Sequence, residues 1–426
     1  MSAARGGGWG NLPCATPARW LARDWRFEPL PADGPLLGVG MRRSYGDVCA
    51  NGAGTCLSTR FLDRLVAFDA ASGRLDCEAG VTLGEILRVV LPQGWYLPVV
   101  PGTRFVTLGG AVANDIHGKN HGRAGSFGCH VRELELLRSD RGRLRCSEAQ
   151  DSELFRATIG GLGLTGLITR VRLQLRRVPG AGMEAQELVF RSLDELLDLI
   201  GESVRWEYSV AWVDGSRLAR GASGALSRAE HAEGGMAQAR AGIGVPVMPP
   251  LGFVNDLTAW SFSRLYAATR RSGARRLDHA AYFFPLDGVR HWNRLYGPRG
   301  FHQYQCVLPQ EGVTPILDAV HALGPVSPLI VLKDFGPLRS PGLLSFPRPG
   351  ITLAMDFAAG DRRLPALFTR LDAIVREHGG ALYPAKDARM DPAMFAASFP
   401  ELPRFAASVD PRFSSSFWRR VQCQAT

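Results

Sequence analysis

Between Pro101 and His121 the chain reads Pro-Gly-Thr-Arg-Phe-Val-Thr-Leu-Gly-Gly-Ala-Val-Ala-Asn-Asp-Ile-His-Gly-Lys-Asn-His, and this stretch constrains the fold more than any other. Gly109, Gly110, Ala111 and Ala113 carry almost no side-chain bulk, so a large planar or diphosphate ligand can lie against the backbone. His117, Lys119 and His121 then follow within one short span. Such a cluster serves as a solvated polar turn, as a metal site or as part of a ligand pocket. A metal needs a third ligand, and the intervening lysine repels a cation, so no metal is expected.

Two further glycine loops flank this one in sequence. Gly38-Val-Gly40-Met-Arg-Arg43-Ser-Tyr-Gly46-Asp47 follows a short apolar strand, Leu36–Gly40. Backbone amides in such a turn can converge on a diphosphate, with Arg42 or Arg43 and Ser44 adding donors. The other loop, Gly160-Gly161-Leu-Gly163-Leu-Thr-Gly166, contains a formal GxGxxG. A dinucleotide fingerprint needs strand, loop and then helix, so that helix amides face the pyrophosphate. Here a helical pattern, Ser152–Ala157, precedes the loop and a strand pattern, Leu167–Leu175, follows it. NAD binding there is rejected, and the glycines read as a close-approach loop for another flat ligand.

A chain of 426 residues, 46% hydrophobic and 21% charged, suits a two-lobed globular protein with a sizeable core. Its net charge of +10, carried by arginine far more than lysine, favours anionic partners. Nucleic acid is not expected, because no arginine-rich tail, zinc-finger spacing or aromatic ribonucleoprotein motif is present. The eight cysteines are scattered without a CxxC pair, which reads as reduced thiols in a cytoplasmic protein. No apolar run follows a basic start near Met1, and none reaches about 18 residues, so neither a secretory signal nor a spanning helix is expected. Apolar spacing predicts a helix over Thr82–Leu91 and strands over Leu65–Asp69, Leu75–Glu78 and Val131–Leu137. Pro179–Gly182 marks a boundary. Beyond it, Ser192–Ile200 and Pro365–His378 read as helices, and Trp206–Val213 and Gln303–Leu308 as strands. The stretch 217–250, rich in Gly, Ala, Ser and Arg, reads as a long flexible loop.

Together these segments resemble the FAD-binding domain of the vanillyl-alcohol oxidase/p-cresol methylhydroxylase (PCMH-type) superfamily, and within it the decaprenylphosphoryl-β-D-ribose 2′-oxidase family. Trp9-Gly-Asn, Arg43-Ser-Tyr-Gly-Asp47, Pro101-Gly-Thr-Arg104, Asp115-Ile-His-Gly-Lys-Asn-His121, Gly125-Ser-Phe-Gly128 and Gly163-Leu-Thr-Gly166 carry the likeness in the first half. It continues through Trp292-Asn-Arg-Leu-Tyr-Gly-Pro298, Gln303-Tyr-Gln305, Lys333-Asp-Phe-Gly336, Leu344-Ser-Phe-Pro347 and Tyr383-Pro-Ala-Lys-Asp387. The resemblance implies an α+β, bilobal fold. Residues 1–178 form the FAD domain, 179–385 an inserted antiparallel-sheet substrate domain, and 386–426 a tail returning to the FAD domain.

It further implies FAD contacts from Gly40, Arg43, Ser44 and Tyr45 in the first loop. Gly102, Thr103, Thr107, Gly109, Gly110, Asn114, Ile116, His117 and Gly118 follow in the second, and Gly166, Ile168 and Tyr383 complete the site. Tyr45 stands where other superfamily members carry a flavin-linking histidine, so the FAD is expected to be non-covalent. Lys386 is the first choice of catalytic residue and His117 the second. Lys119, Tyr304, Gln305, Lys333 and Lys386 are expected to bind the substrate. The implied reaction oxidises the 2′-hydroxyl of a polyprenyl-phospho-β-D-ribose to the 2′-keto sugar, with quinone or oxygen as acceptor. A short-chain reductase would be the partner that completes epimerisation to arabinose, and a lipid substrate would draw the enzyme peripherally to the inner membrane. A sugar-lactone or alditol oxidase on the same fold is the rival reading. The chain departs from its relatives in four places. Arg42 replaces a glycine, Leu12–Leu36 is short for the helix usual there, and Phe283 replaces a tyrosine. Ala354 stands for a cysteine, so a covalent inhibitor relying on that thiol lacks its target.

Overall fold

Alternating apolar and polar residues make Val131–Arg138 and Leu167–Gln174 paired antiparallel strands, with Leu134 opposite Val171. In the computed structural model, which describes residues 7–218, 221–235 and 242–422, they lie inside a five-stranded sheet. Its order is Leu65–Asp69, Arg74–Glu78, Leu167–Gln174, Val131–Arg138, Gly142–Cys146. A three-stranded parallel sheet stands beside it, with Thr55–Ser58 between Arg19–Ala22 and Leu36–Val39. No helix joins Arg19–Ala22 to Leu36–Val39, in keeping with the short connection. Thr82 and Glu85 form a capping box at the start of the helix Leu83–Val90, which buries Leu83, Ile86, Leu87 and Val90.

The second half of the chain builds an eight-stranded, wholly antiparallel sheet. Its order is Gly273–Asp278, Gly182–Phe190, Gly224–Ala232, Tyr208–Val213, Ile330–Phe335, Gly350–Ala358, Phe301–Leu308, Ala381–Leu382. Side chains alternate between its faces. Tyr304, Cys306, Leu353 and Met355 pack with Ile316, Val320, Leu367 and Leu371 of the helices Val313–Leu323 and Leu364–Glu377. Gln303, Gln305 and Ala354 point the other way, toward the first half of the molecule. The chain then returns. Phe413 bridges to Leu36, Arg419 bonds Asn51 at 3.0 Å, and Arg420 pairs with Asp47 at 2.7 Å.

The expectation of a long loop over 217–250 is overturned at Gly224–Ala232. Gly224–Ala232 is a nine-residue strand inside the sheet, paired on both sides. Its Gly and Ala residues are weak strand formers, so propensity hides it. Close packing requires glycine at the first position: a Cβ on Gly224 would come 1.9 Å from the Trp212 carbonyl oxygen. Positions 219–220 and 236–241 of that stretch lie outside the described residues.

Candidate active site

The glycine loops are pressed against one another. A Cβ on Gly40 would come 2.2 Å from Thr107 Oγ1, and one on Gly109 2.9 Å from Ala79 Cβ. Thr107 caps the short helix Leu108–Ala113, its hydroxyl accepting from Gly110 N at 3.2 Å. Gly46 faces the backbone of Asp387, where a Cβ would be 1.6 Å from the carbonyl oxygen, and Tyr45 N donates to Ala385 O at 2.8 Å. Arg42 sits at φ 54°, which explains why glycine is usual there. Its guanidinium bonds the Gly7 carbonyl and lies 5.5 Å from the Trp20 ring centre.

Between these loops and the open face of the eight-stranded sheet lies a cavity of about 1140 Å³. It is lined by Gly40, Arg43, Ser44, Tyr45, Gly102, Thr103, Thr107, Gly109, Gly110, Asn114, Ile116, His117, Gly118, Gly166, Ile168 and Tyr383. Lys119, Gln305, Lys333 and Lys386 line it too. Tyr304 does not, and its assignment to substrate is corrected. Adjacent strand residues face opposite sides, and Tyr304 stacks on Phe368 and donates to Asp372 at 3.0 Å on the helical face. Gln303 takes its place in the cavity. Strand alternation, applied strictly to 303–305, would have found it. Phe283 and Ala354 both line the wall.

The chain contains only three lysines, Lys119, Lys333 and Lys386, and all three line this one cavity. Arginine keeps its proton, whereas a buried lysine can surrender one. Burial pushes Lys386 down to about 7, partly countered by Asp356 and reinforced by Lys333. Burial and then Lys333 bring Lys119 to about 7, and burial brings Lys333 to about 8. The Lys386 ammonium sits 3.5 Å from the Tyr45 ring centre, and Lys119 Nζ donates to the Tyr282 carbonyl at 2.5 Å. Burial drives His117 well below its ordinary value, with Lys333, His121 and Lys386 adding to the effect, so the ring is neutral. Gln305 Nε2 lies 2.9 Å from His117 Nε2; with the amide donating, the ring proton sits on Nδ1, which is buried without a protein partner.

Sequence reasoning missed Asp356. It is buried beside Gln303, whose amide donates to it at 2.6 Å, and burial raises it to about 7. It lies two residues from Ala354 on the same face of the strand Gly350–Ala358, a strand that the sequence reading does not predict. Among the described residues no group of three His, Cys, Asp or Glu side chains is arranged to hold a metal.

A flavin dinucleotide fits what is present. Gly40, Gly102, Gly110 and Gly166 leave a floor of bare backbone, and a Cβ on Gly102 would meet nothing. Asn114 Oδ1 and His117 Nδ1 are buried polar atoms without a protein partner. The volume exceeds the roughly 300–1,000 Å³ of a single-ligand pocket, leaving room for a second molecule.

Comparison with known proteins agrees. Residues 32–147 match the FAD binding domain family. Decaprenylphosphoryl-β-D-ribose oxidase of Mycolicibacterium smegmatis is 38% identical over 416 residues, covering 91% of this chain and 89% of that protein. The uncharacterized protein in the mprA 5′ region of Streptomyces coelicolor is 34% identical, covering 80% of this chain and all of that protein. The probable L-gulonolactone oxidase 4 of Arabidopsis thaliana is 33% identical over only 138 residues, or 24% of its own length. At 38% identity over 91% of its length, with the FAD-binding match, the chain belongs to the decaprenylphosphoryl-β-D-ribose oxidase family of FAD-dependent oxidoreductases.

Proposed function

We propose that the protein oxidises the 2′-hydroxyl of a polyprenyl-phospho-β-D-ribose to the 2′-keto sugar, the first half of an epimerisation to arabinose. The observation carrying this reading is the gathering of every lysine in the chain around one cavity beside the glycine loops. FAD bound there supplies the hydride acceptor. Gly40, Ser44, Gly102, Thr103, Thr107, Gly110, Asn114, Gly166 and Tyr383 would hold it non-covalently, since Tyr45 offers no histidine for a link.

The residues divide the remaining work by their acidity. A general base is most effective when its pKa lies near the operating pH. Lys386, at about 7, meets that condition, and its Nζ takes the proton of the 2′-hydroxyl. His117 is held too far below neutrality to compete as a base. It orients the sugar instead, fixed through Gln305. Lys119 and Lys333 receive the phosphate as point charges. Electrons leave to a quinone or oxygen, and a short-chain reductase acts on the keto product. A lipid-linked substrate places the protein peripherally on a membrane. No helix among the described residues is long and apolar enough to cross one.

Anaerobic mixing with polyprenyl-phospho-ribose is expected to bleach the flavin. Bleaching by free alditols or sugar lactones, with none by the lipid, would transfer the assignment to the rival oxidases. Affinity should also fall with pH. Lys119 is protonated below about 7 and Lys333 below about 8, so the charged forms that bind phosphate are lost as pH rises. The Kd for the lipid, read from the bleaching titration, is expected to rise between pH 7 and 9. The limit is tenfold per unit for each lysine that must be protonated. A Kd that stays flat over that range would remove both lysines from the phosphate site.

A further inference from the structure

The helix Asp256–Thr269 is inverted. It buries Ala259 and Ser263, while Leu257 is 71% exposed, Leu265 69% and Trp260 48%. A surface helix ordinarily does the opposite, turning its large apolar residues to the core. Beside it, Ile243, Val247, Leu251 and Phe253 are also exposed, on a segment tied by the parallel pairing of Ile243–Gly244 with Val289–Arg290. The patch is continuous with the cavity: Phe262 and Tyr266 of the helix, with Leu286 and Val289, line both.

Charge selects the partner. Arg264, Arg271 and Arg290 are exposed around the patch and make no ion pair among the described residues. Neighbouring acids are already engaged: Asp256 with Arg363 at 2.7 Å, Glu187 with Arg270 and Arg275 at 3.4 Å each, and Asp287 with Arg104. An apolar face ringed by uncompensated arginines suits the interface of a bilayer containing anionic phospholipid.

We infer that the helix Asp256–Thr269 and the 243–253 segment form a docking face for an anionic phospholipid bilayer, seating the cavity mouth on its surface. This deepens the proposed function, resting on it only for the direction in which a lipid-linked sugar enters. The protein sits on the bilayer with Leu257, Trp260 and Leu265 in the headgroup boundary and the arginines at phosphate level. A prenyl chain then remains in the lipid while its sugar phosphate reaches the lysines.

The test is co-sedimentation of the FAD-loaded protein with phosphatidylcholine vesicles, with and without phosphatidylglycerol. Binding is expected with phosphatidylglycerol, weakened by salt, and reduced at least tenfold in the double variant Leu257→Glu/Leu265→Glu. Neither residue lines the cavity, so FAD content and turnover of a water-soluble short-prenyl substrate should match wild type. A second variant, Arg264→Glu/Arg271→Glu, should lose the phosphatidylglycerol dependence. Wild-type protein left in the supernatant, or variants that bind as wild type does, would overturn the docking face; a soluble protein partner would then be the occupant to seek. Vesicle binding without oxidation of any lipid-linked sugar phosphate would instead remove the functional reading and leave this face standing.

Discussion

Lys386→Met is expected to lower the rate of flavin reduction by about 10²- to 10³-fold while the protein retains its FAD. The lysine reaches the cavity from the turn after Ala381–Leu382, which the Tyr45–Ala385 hydrogen bond ties to the first glycine loop. Its aliphatic stem can be replaced by methionine at similar volume, so packing against Tyr45 survives and the loss reports the amine. Stopped-flow reduction separates this step from reoxidation. The pH profile adds a check that a structural role would not move: the limb in the reduction rate near pH 7 should vanish with the amine. A rate within a few-fold of wild type would assign the proton to another group.

Gly46→Ala is expected to yield folded but flavin-poor protein. The added Cβ would fall 1.6 Å from the Asp387 carbonyl oxygen, and a backbone atom cannot swing aside as a side chain can. Relief requires the 43–46 loop to part from the 385–387 turn, at a cost of about 1–3 kcal/mol for overpacking. That movement breaks the Tyr45–Ala385 bond and separates Lys386 from the groove. FAD content per protein and thermal unfolding measure both effects. Gly201→Ala serves as the control: its Cβ would meet nothing on the helix Leu193–Glu202, so alanine should stabilise by about 0.5–1 kcal/mol. Full flavin content in Gly46→Ala would show that the two loops need not touch.

Much of this was legible from residues alone because the glycine loops and the 115–121 stretch are local: their meaning does not depend on distant partners. The elements beneath them were legible for the same reason. The apolar spacing of Leu83, Ile86, Leu87 and Val90 and the alternation along Leu167–Gln174 state their own structure. What was missed depends on tertiary contact. Gly224–Ala232 is a strand because Gly182–Phe190 and Tyr208–Val213, distant in sequence, pair with it on both sides. Asp256–Thr269 is a helix whose apolar face points outward, so a search for a core-facing stripe passes over it. Tyr304 was drawn into the site by its neighbours in sequence, although the pleat sends it to the Phe368 side. Asp356 became visible only when the sheet register placed it opposite Gln303.

Activity depends on the groove between positions 38–47 and 102–118 accepting the flavin dinucleotide. The most direct test is the flavin content of the purified protein, followed by acid precipitation. Stoichiometric FAD that passes wholly into the supernatant is the predicted result. Colourless protein that takes up no added FAD would contradict it.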